Sequence, residues 1–285
     1  MPCETCHDSH WVVERIDGVD RARRCDCWRA ALAEQQLAQA RIPRGYLHCE
    51  LINFEQQTDS LRDAHRRARA FIDAFPVPDK GLLLHGRHGV GKTHLAVAIL
   101  KEVIRAKGGR GFFYETRDLL KLVRDTYAGG DATEMEVLRP VLDADLLVLD
   151  DLGAEKTSEW VQETLGLVVN TRYSERRPTI FTTNLVDSPN PEDLNSMIVK
   201  IGARTRSRLF EMCEWVEMDG FDTRQVGVNP TPADIARFNR ESPESDQNRR
   251  PGGFPDKSRG MVRASLRPSR GAADVNWAGG KGGSR

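Results

Sequence analysis

Gly86-Arg-His-Gly-Val-Gly-Lys-Thr93 is the stretch that decides the fold of this 285-residue chain. It matches the pattern G-x-x-x-x-G-K-[ST], in which glycines let a loop wrap around an oxyanion while backbone N–H groups point inward. An apolar run over 82–84 precedes the loop, and a helical pattern follows it. A buried strand, a glycine-rich loop and a helix in this order predict a phosphate-binding loop (P-loop) rather than a structural glycine turn.

The P-loop carries specific expectations for ATP and Mg²⁺. Lys92 is expected to reach the β- and γ-phosphates, and the Thr93 hydroxyl is expected to ligate Mg²⁺. The residues predicted to contact the nucleotide are Gly86, Arg87, His88, Gly89, Val90, Gly91, Lys92, Thr93 and His94.

Two adjacent acids follow a second buried run. Four consecutive aliphatic residues occupy 146–149, and Asp150 and Asp151 come directly after them. Because ligands bind at the carboxyl ends of the strands in open α/β sheets, both acids are expected beside the P-loop. Asp150 is the expected Mg²⁺ partner through water, and Asp151 is expected to polarise the attacking water. The alternative for Asp151 is a structural role at the start of a loop.

A third polar element follows a further β-rich run. Thr182-Thr-Asn184 ends that run, and Asn184 is interpreted as a sensor that orients the attacking water beside the γ-phosphate. Asparagine is also a common turn residue, so a turn is the alternative.

Arginines four residues apart mark a later helix. Arg204 and Arg208 lie in Gly202-Ala-Arg-Thr-Arg-Ser-Arg208 and therefore share one helix face. A solvated basic face would explain them alone. Beside a nucleotide site we favour Arg204 as an arginine finger that reaches a neighbouring subunit's γ-phosphate, with Arg208 as its companion.

Four of the six cysteines lie within residues 1–29, as a C-x₂-C pair and a C-x-C pair. The segment 11–18 between the pairs alternates like a short strand that ends in a turn. Because so short a region cannot build a stable core unaided, a structural Zn²⁺ is predicted. A redox pair and inert thiols remain the alternatives. The predicted zinc ligands are Cys3, Cys6, Cys25 and Cys27, with His7 and His10 as possible substitutes.

The balanced charge, 42 Lys and Arg against 42 Asp and Glu, conceals an uneven distribution. Residues 247–285 contain nine basic and two acidic residues, so a basic tail follows an acidic body. No apolar run is long enough to cross a bilayer and no signal peptide is visible, so a cytoplasmic protein without membrane contact is expected. The isolated Cys49 and Cys213 are expected to be buried as small hydrophobic residues.

Short apolar runs alternate with longer amphipathic ones, a pattern typical of a parallel sheet covered by helices. Strands are predicted over 81–85, 111–115, 145–150, 178–184 and 214–218. Helices are predicted over 59–75, 92–106, 117–127, 158–176 and 192–210. The expected organisation is a zinc-binding region (1–29), a helical linker (30–50), an α/β ATPase domain (51–224) and a disordered basic tail (225–285).

Taken together, these motifs resemble the DnaC/IstB family of AAA+ ATPases, and within it the helicase loaders of the DnaC/DnaI type. Further stretches that carry the resemblance are Arg41-Ile-Pro-Arg-Gly-Tyr, Leu-Leu-Val-Leu-Asp-Asp-Leu-Gly from 146, Ser158-Glu-Trp-Val, Asn170-Thr-Arg-Tyr and Asp222-Thr-Arg. The resemblance implies a three-layer α/β/α AAA+ fold with parallel strand order 5-1-4-3-2. It places Arg224 at the family's sensor-two position and supports Arg204 and Arg208 in its arginine-finger motif.

The resemblance also implies partners. The cysteine-rich region would contact a replicative hexameric helicase, while the ATPase domain would bind single-stranded DNA and self-associate through the ATP interface. The function expected first is therefore an ATP-hydrolysing loader of the replicative helicase. The alternatives are an IstB-like helper that recruits a transposase to DNA, and an ATP-dependent interaction module with negligible turnover. Lys121 and Arg124 are candidates for DNA contact, although a solvated helix face would also explain them.

Overall fold

The computed structural model describes residues 3–16, 18–127, 133–188, 190, 192–226 and 231. The prediction of a disordered basic tail falls almost entirely outside the described residues.

The N-terminal region is a small antiparallel hairpin followed by a helix. Strand β1 (Trp11–Ile16) pairs with β2 (Val19–Arg24), with Trp11 opposite Arg24. The strand predicted within 11–18 is thereby confirmed, whereas position 17 of the predicted turn lies outside the described residues. Helix α1 (Cys27–Gln39) begins at the last cysteine of the group, and β2 is exposed to solvent along its whole length.

A five-stranded parallel sheet forms the centre of the larger part of the molecule. Its strands are β3 (Gly81–Gly86), β4 (Gly111–Glu115), β5 (Leu146–Asp150), β6 (Thr179–Thr183) and β7 (Cys213–Met218). They lie in the order β4-β5-β6-β3-β7, and all pairs are parallel. Numbered within this sheet, the order is the 5-1-4-3-2 that the family resemblance implied.

Helices cover both faces of the sheet. They are α2 (Asp59–Ala74), α3 (Lys92–Glu102), α4 (Thr116–Tyr127), α5 (Glu134–Asp143), α6 (Glu159–Ser174), α7 (Met197–Ile201), α8 (Ala203–Met212) and the short α9 (Thr223–Val226). Alternate residues of β3 lie in two separate hydrophobic cores. Leu82 and Leu84 pack with α2 and α3, whereas Leu83 packs with the layer of α4 to α8. This is the predicted three-layer α/β/α architecture.

Two differences from the predicted helices have local causes. The single helix predicted over 192–210 is wrong, because Gly202 (φ +83°) separates α7 from α8. Helix α5 was not predicted, although Thr133 and Glu136 form a capping box at its start. Its C-terminal carbonyls, those of Val141 and Leu142, accept hydrogen bonds from the fully buried Arg172.

Among the helices that the structure describes, none combines the length and the apolar character needed to cross a membrane.

Candidate nucleotide-binding site

The P-loop follows β3 directly and wraps around the N-terminus of α3. Gly89 has φ +76°, and a Cβ atom there would overlap the Asp222 carboxylate, so the loop requires glycine at this position. Val90 is buried and anchors the loop to the core. The first N–H groups of α3 lack helical partners and lie beside the loop, which makes this end of the helix suited to an anion.

Lys92 is the first residue of α3 and is almost fully buried. Its Nζ atom donates to the carbonyl oxygens of Gly86 (2.9 Å) and Arg87 (2.5 Å). Burial lowers the pKa of Lys92 to about 8, and the carboxylates of Asp151 and Asp150 oppose that shift. The lysine is therefore still largely protonated at neutral pH and can pair with phosphate.

Thr93 and Asp150 offer the oxygen ligands that Mg²⁺ prefers. Thr93 Oγ1 donates to Asp150 Oδ1 at 2.9 Å, although the two residues are far apart in sequence. Thr182 Oγ1 donates to the same oxygen at 2.6 Å. Burial raises the pKa of Asp150, while the two hydroxyl donors act in the opposite direction. The Thr93 hydroxyl beside the buried Asp150 carboxylate therefore suits the Mg²⁺ ion that accompanies ATP.

Asp151 is held in a left-handed backbone conformation (φ +54°) by β6. Its N–H donates to Thr182 Oγ1 at 2.9 Å, and its Oδ1 accepts from Asn184 Nδ2 at 2.8 Å. The Oδ1 atom of Asn184 is buried and has no hydrogen-bond partner among the described residues. Asp151 and Asn184 thus form a polar pair at the carboxyl ends of neighbouring strands.

A segment at the end of the described chain closes the cleft. Thr223 donates to the Gly89 carbonyl from both its N–H (3.2 Å) and its Oγ1 (3.0 Å). The Arg224 N–H donates to Asp222 Oδ1 at 3.0 Å, and Arg224 lines the cleft. These contacts bring a residue more than 130 positions away to the P-loop.

The resulting cleft has a volume of about 400 Å³. It brings together ten of the predicted residues, of which six are the predicted catalytic or Mg²⁺-binding residues Lys92, Thr93, Asp150, Asp151, Asn184 and Arg224. His88, Gly89, Gly91 and His94 also line it. Sequence reasoning missed the other walls, formed by Tyr46, His48, Cys49, Glu115, Thr182 and Thr223.

Arg204 and Arg208 do not line the cleft of their own chain. Arg204 is exposed in the first turn of α8 and makes no hydrogen bond or ion pair within the described part of the chain. Arg208 is partly buried, with its guanidinium 6.0 Å from the Tyr173 ring centre. Arg206, between them, is paired with Asp187 and lies over Phe210.

The four N-terminal cysteines converge on one point. Their Sγ atoms lie within 4.8 Å of one another, with 3.2 Å between Cys6 and Cys27 and 3.7 Å between Cys3 and Cys25. Four thiols at this spacing fit a tetrahedral zinc site. His10 Nδ1 lies 3.4 Å from Cys27 Sγ, outside the group of four. Cys49 and Cys213 are buried, as expected.

Comparison with known proteins gives a consistent family assignment. Replicative helicase loader DnaC of Escherichia coli K12 is 26% identical over 162 residues, which are 57% of this chain and 63% of that protein. Replicative helicase loader DnaI of Bacillus subtilis 168 is 29% identical over 211 residues, covering 68% of this chain and 65% of that protein. The chain thus spans less than two thirds of the length of these curated relatives.

A crystal structure of the DnaC helicase loader superimposes with a TM-score of 0.55 and 33% identity, covering 62% of this chain and all of that one. The family model described as IstB-like ATP binding protein matches residues 35–220, which include the P-loop, both acids and the predicted arginines Arg204 and Arg208 of α8. The chain therefore belongs to the IstB-like ATP binding protein family, with a P-loop AAA+ fold.

Proposed function

We propose that this chain is an ATP-hydrolysing switch that loads a replicative DNA helicase onto single-stranded DNA. One observation carries the proposal: a single cleft contains a P-loop lysine, a hydroxyl–carboxylate pair suited to Mg²⁺ and a second carboxylate held by an amide. The curated relatives DnaC and DnaI are named as replicative helicase loaders, which supports the biological setting.

The geometry supports a division of roles. Lys92 would exchange two loop carbonyls for the β- and γ-phosphates of ATP. Thr93 and Asp150 would hold Mg²⁺, which neutralises charge between those phosphates when bound. Asp151 would polarise the attacking water, and Asn184 would fix the orientation of that carboxylate and offer its free Oδ1 to the same water.

We propose that hydrolysis is completed by a second subunit. Arg204 is exposed and unpaired among the described residues, and it lies outside its own cleft. Such a residue is suited to reach the γ-phosphate in a neighbouring subunit, with Arg208 as its companion. Arg224, in contrast, lines the cleft of its own chain and would contact the phosphates from there.

The N-terminal region is proposed as a zinc-stabilised contact for the helicase. Because β2 is exposed along its length, the hairpin buries little apolar surface of its own. A Zn²⁺ held by the four cysteines would supply the missing stability. We propose the domain organisation that the composition predicts: the zinc-binding region (1–29), the helical linker (30–50), the ATPase domain (51–224) and the basic tail (225–285).

Single-stranded DNA is proposed to bind along α4, where Lys121 is exposed and Arg124 stacks over Trp160 at 4.8 Å. The basic residues of 247–285 would add a salt-dependent attraction. Deletion of 247–285 is expected to weaken DNA binding and to leave ATP binding intact. Unchanged DNA affinity would remove the tail from the proposal.

The second candidate function is a transposition helper that recruits a transposase to duplex DNA, and the IstB-like family match favours it. Affinity capture with the organism's replicative helicase, with and without ATP, separates the two. The loader proposal predicts helicase capture that responds to ATP and is weakened by removal of residues 1–29. Failure to capture the helicase in either state, together with capture of a transposase, would favour the second candidate.

A further inference from the structure

One wall of the nucleotide cleft carries two histidines and a cysteine, side chains of the types that ligate metals, and of these only His94 is among the residues predicted to contact the nucleotide. One ligand atom each from His48, Cys49 and His94 lies within 4.8 Å of the other two. Cys49 Sγ is 3.8 Å from His48 Nε2, and the two imidazole rings meet edge to face with centroids 6.0 Å apart. Two imidazoles and a thiol form a donor set that suits Zn²⁺ rather than Mg²⁺.

Hydrogen bonds fix the tautomer of the His94 ring and leave one of its nitrogens available to a metal. His94 Nε2 lies 3.1 Å from the Glu50 carbonyl oxygen and 2.9 Å from Asn53 Oδ1. Both partners are acceptors, because Asn53 Oδ1 also accepts from the Glu50 N–H and Asn53 Nδ2 donates to the His48 carbonyl. Nε2 therefore carries the proton, and the lone pair remains on Nδ1. A ring N–H given to a carbonyl is the usual support of a metal-binding histidine.

The two chain segments that carry these side chains are pinned together. The buried Lys101, on the same helix as His94, donates to the carbonyls of Leu47 (2.7 Å) and Cys49 (2.9 Å). Lys101 also pairs with Glu50. The three ligands are thus held close together before any metal arrives, which lowers the cost of assembling the site.

We propose that His48, Cys49 and His94 form a second zinc site, separate from the four-cysteine cluster, with three protein ligands. All three residues line the cleft that contains Lys92 and Thr93, and three protein ligands leave one of the four positions of a tetrahedral zinc ion unfilled. Three protein ligands with an open fourth position characterise zinc sites that exchange a bound molecule, unlike closed four-thiolate sites. Zinc at this position lies in the wall of the nucleotide cleft and is not part of the structural hairpin.

The test measures zinc content of the full-length protein by elemental analysis after equilibration with a series of zinc buffers. Cys49→Ser is compared with the matched variant Cys213→Ser, which alters an equally buried cysteine in the other core. The wild-type protein and Cys213→Ser are expected to reach one equivalent more than Cys49→Ser. Because the decisive quantity is this difference, the result does not depend on how the four-cysteine cluster is filled.

Cobalt supplies a second readout, since a thiolate–Co²⁺ absorption band should lose the intensity contributed by this site in Cys49→Ser. If Cys49→Ser does not fold, as judged by circular dichroism, His48→Ala decides instead, because the His48 side chain is exposed. Equal zinc content in Cys213→Ser and in the folded Cys49→Ser or His48→Ala variant would overturn the proposal.

Discussion

Replacing Thr182 by valine removes one hydroxyl that contacts both acids of the cleft. Thr182 Oγ1 donates to Asp150 Oδ1 at 2.6 Å and accepts from the Asp151 N–H at 2.9 Å. The side chain is 1% exposed, so water cannot easily replace either bond. Valine has nearly the same shape, and the change therefore tests the hydrogen bonds rather than the packing.

The expected loss of stability follows from the two hydrogen bonds of the Thr182 hydroxyl. Loss of a hydrogen bond to a carboxylate costs about 1.5–3 kcal/mol, and a buried N–H left unpaired costs about 1–3 kcal/mol. We expect Thr182→Val to lower the free energy of unfolding by about 3 kcal/mol. Because Asp150 and Asp151 also lose their orientation, kcat for ATP hydrolysis should fall by about 10-fold to 100-fold.

The pKa of Asp150 determines the direction in which the pH profile of Thr182→Val should move. Burial already raises the pKa of Asp150, and the Thr182 hydroxyl opposes that shift. Without the hydroxyl the pKa rises further, so Asp150 becomes protonated at a higher pH. The acid-side loss of Mg²⁺-dependent nucleotide binding should therefore move to higher pH in Thr182→Val.

Thr183→Val is the matched control. The Thr183 hydroxyl is also fully buried, but it donates to the Leu152 carbonyl (2.8 Å) and accepts from the Leu185 N–H (3.1 Å), away from the acids. It should lose stability in urea denaturation without a shift of the pH profile, which is measured by fluorescent nucleotide titration. If the two variants have the same pH profile and the same kcat, the positioning role of Thr182 is refuted.

Three further predictions concern the side chains of Lys92, Arg172 and Cys6. The pKa of Lys92, about 8 in the free protein, should rise when phosphate binds. Nucleotide affinity should therefore be highest below pH 8 and should fall by up to about 10-fold per pH unit above it. Nucleotide titration should find this decline absent in Lys92→Arg. Arg172→Met should lower the free energy of unfolding by about 3 kcal/mol or more, because four carbonyls, three of them in buried contacts, lose their donor; a urea midpoint like that of the wild type would contradict this. Cys6→Ser should remove about one equivalent of tightly bound zinc and unfold the hairpin while ATP binding persists; unchanged metal content would exclude the four-cysteine site.

The parallel sheet could be predicted because its strands are short apolar runs buried on both faces, a pattern that depends only on local sequence. The P-loop and the acids at the carboxyl end of β5 could be predicted because glycines at that spacing and paired carboxylates after an aliphatic run are specific patterns. Helix α5 was missed because Pro140 lies inside it. Its capping box, Thr133 with Glu136, was the signal that could have identified it.

The rest of the cleft depends on tertiary contacts without a sequence period. The wall that contains Tyr46 and His48 comes from a segment of short 3₁₀ turns that Lys101 ties to α3. The role of Thr182 depends on register, since β6 must lie beside β5 for its hydroxyl to reach both acids. Arg204 lies outside its own cleft, so the role proposed for it depends on a second chain.

Helicase loading tests the central claim most directly. The assay measures the amount of the organism's replicative helicase deposited on protein-coated single-stranded DNA in the presence of ATP. The wild-type chain and Lys107→Ala, which changes an exposed lysine at the end of the π-helical turn after α3, are expected to load the helicase. Lys92→Ala is expected to fail, because the lysine proposed to contact the phosphates is missing. Equal loading by Lys92→Ala and Lys107→Ala, or no loading by the wild-type chain with ATP, would contradict the proposed ATP switch.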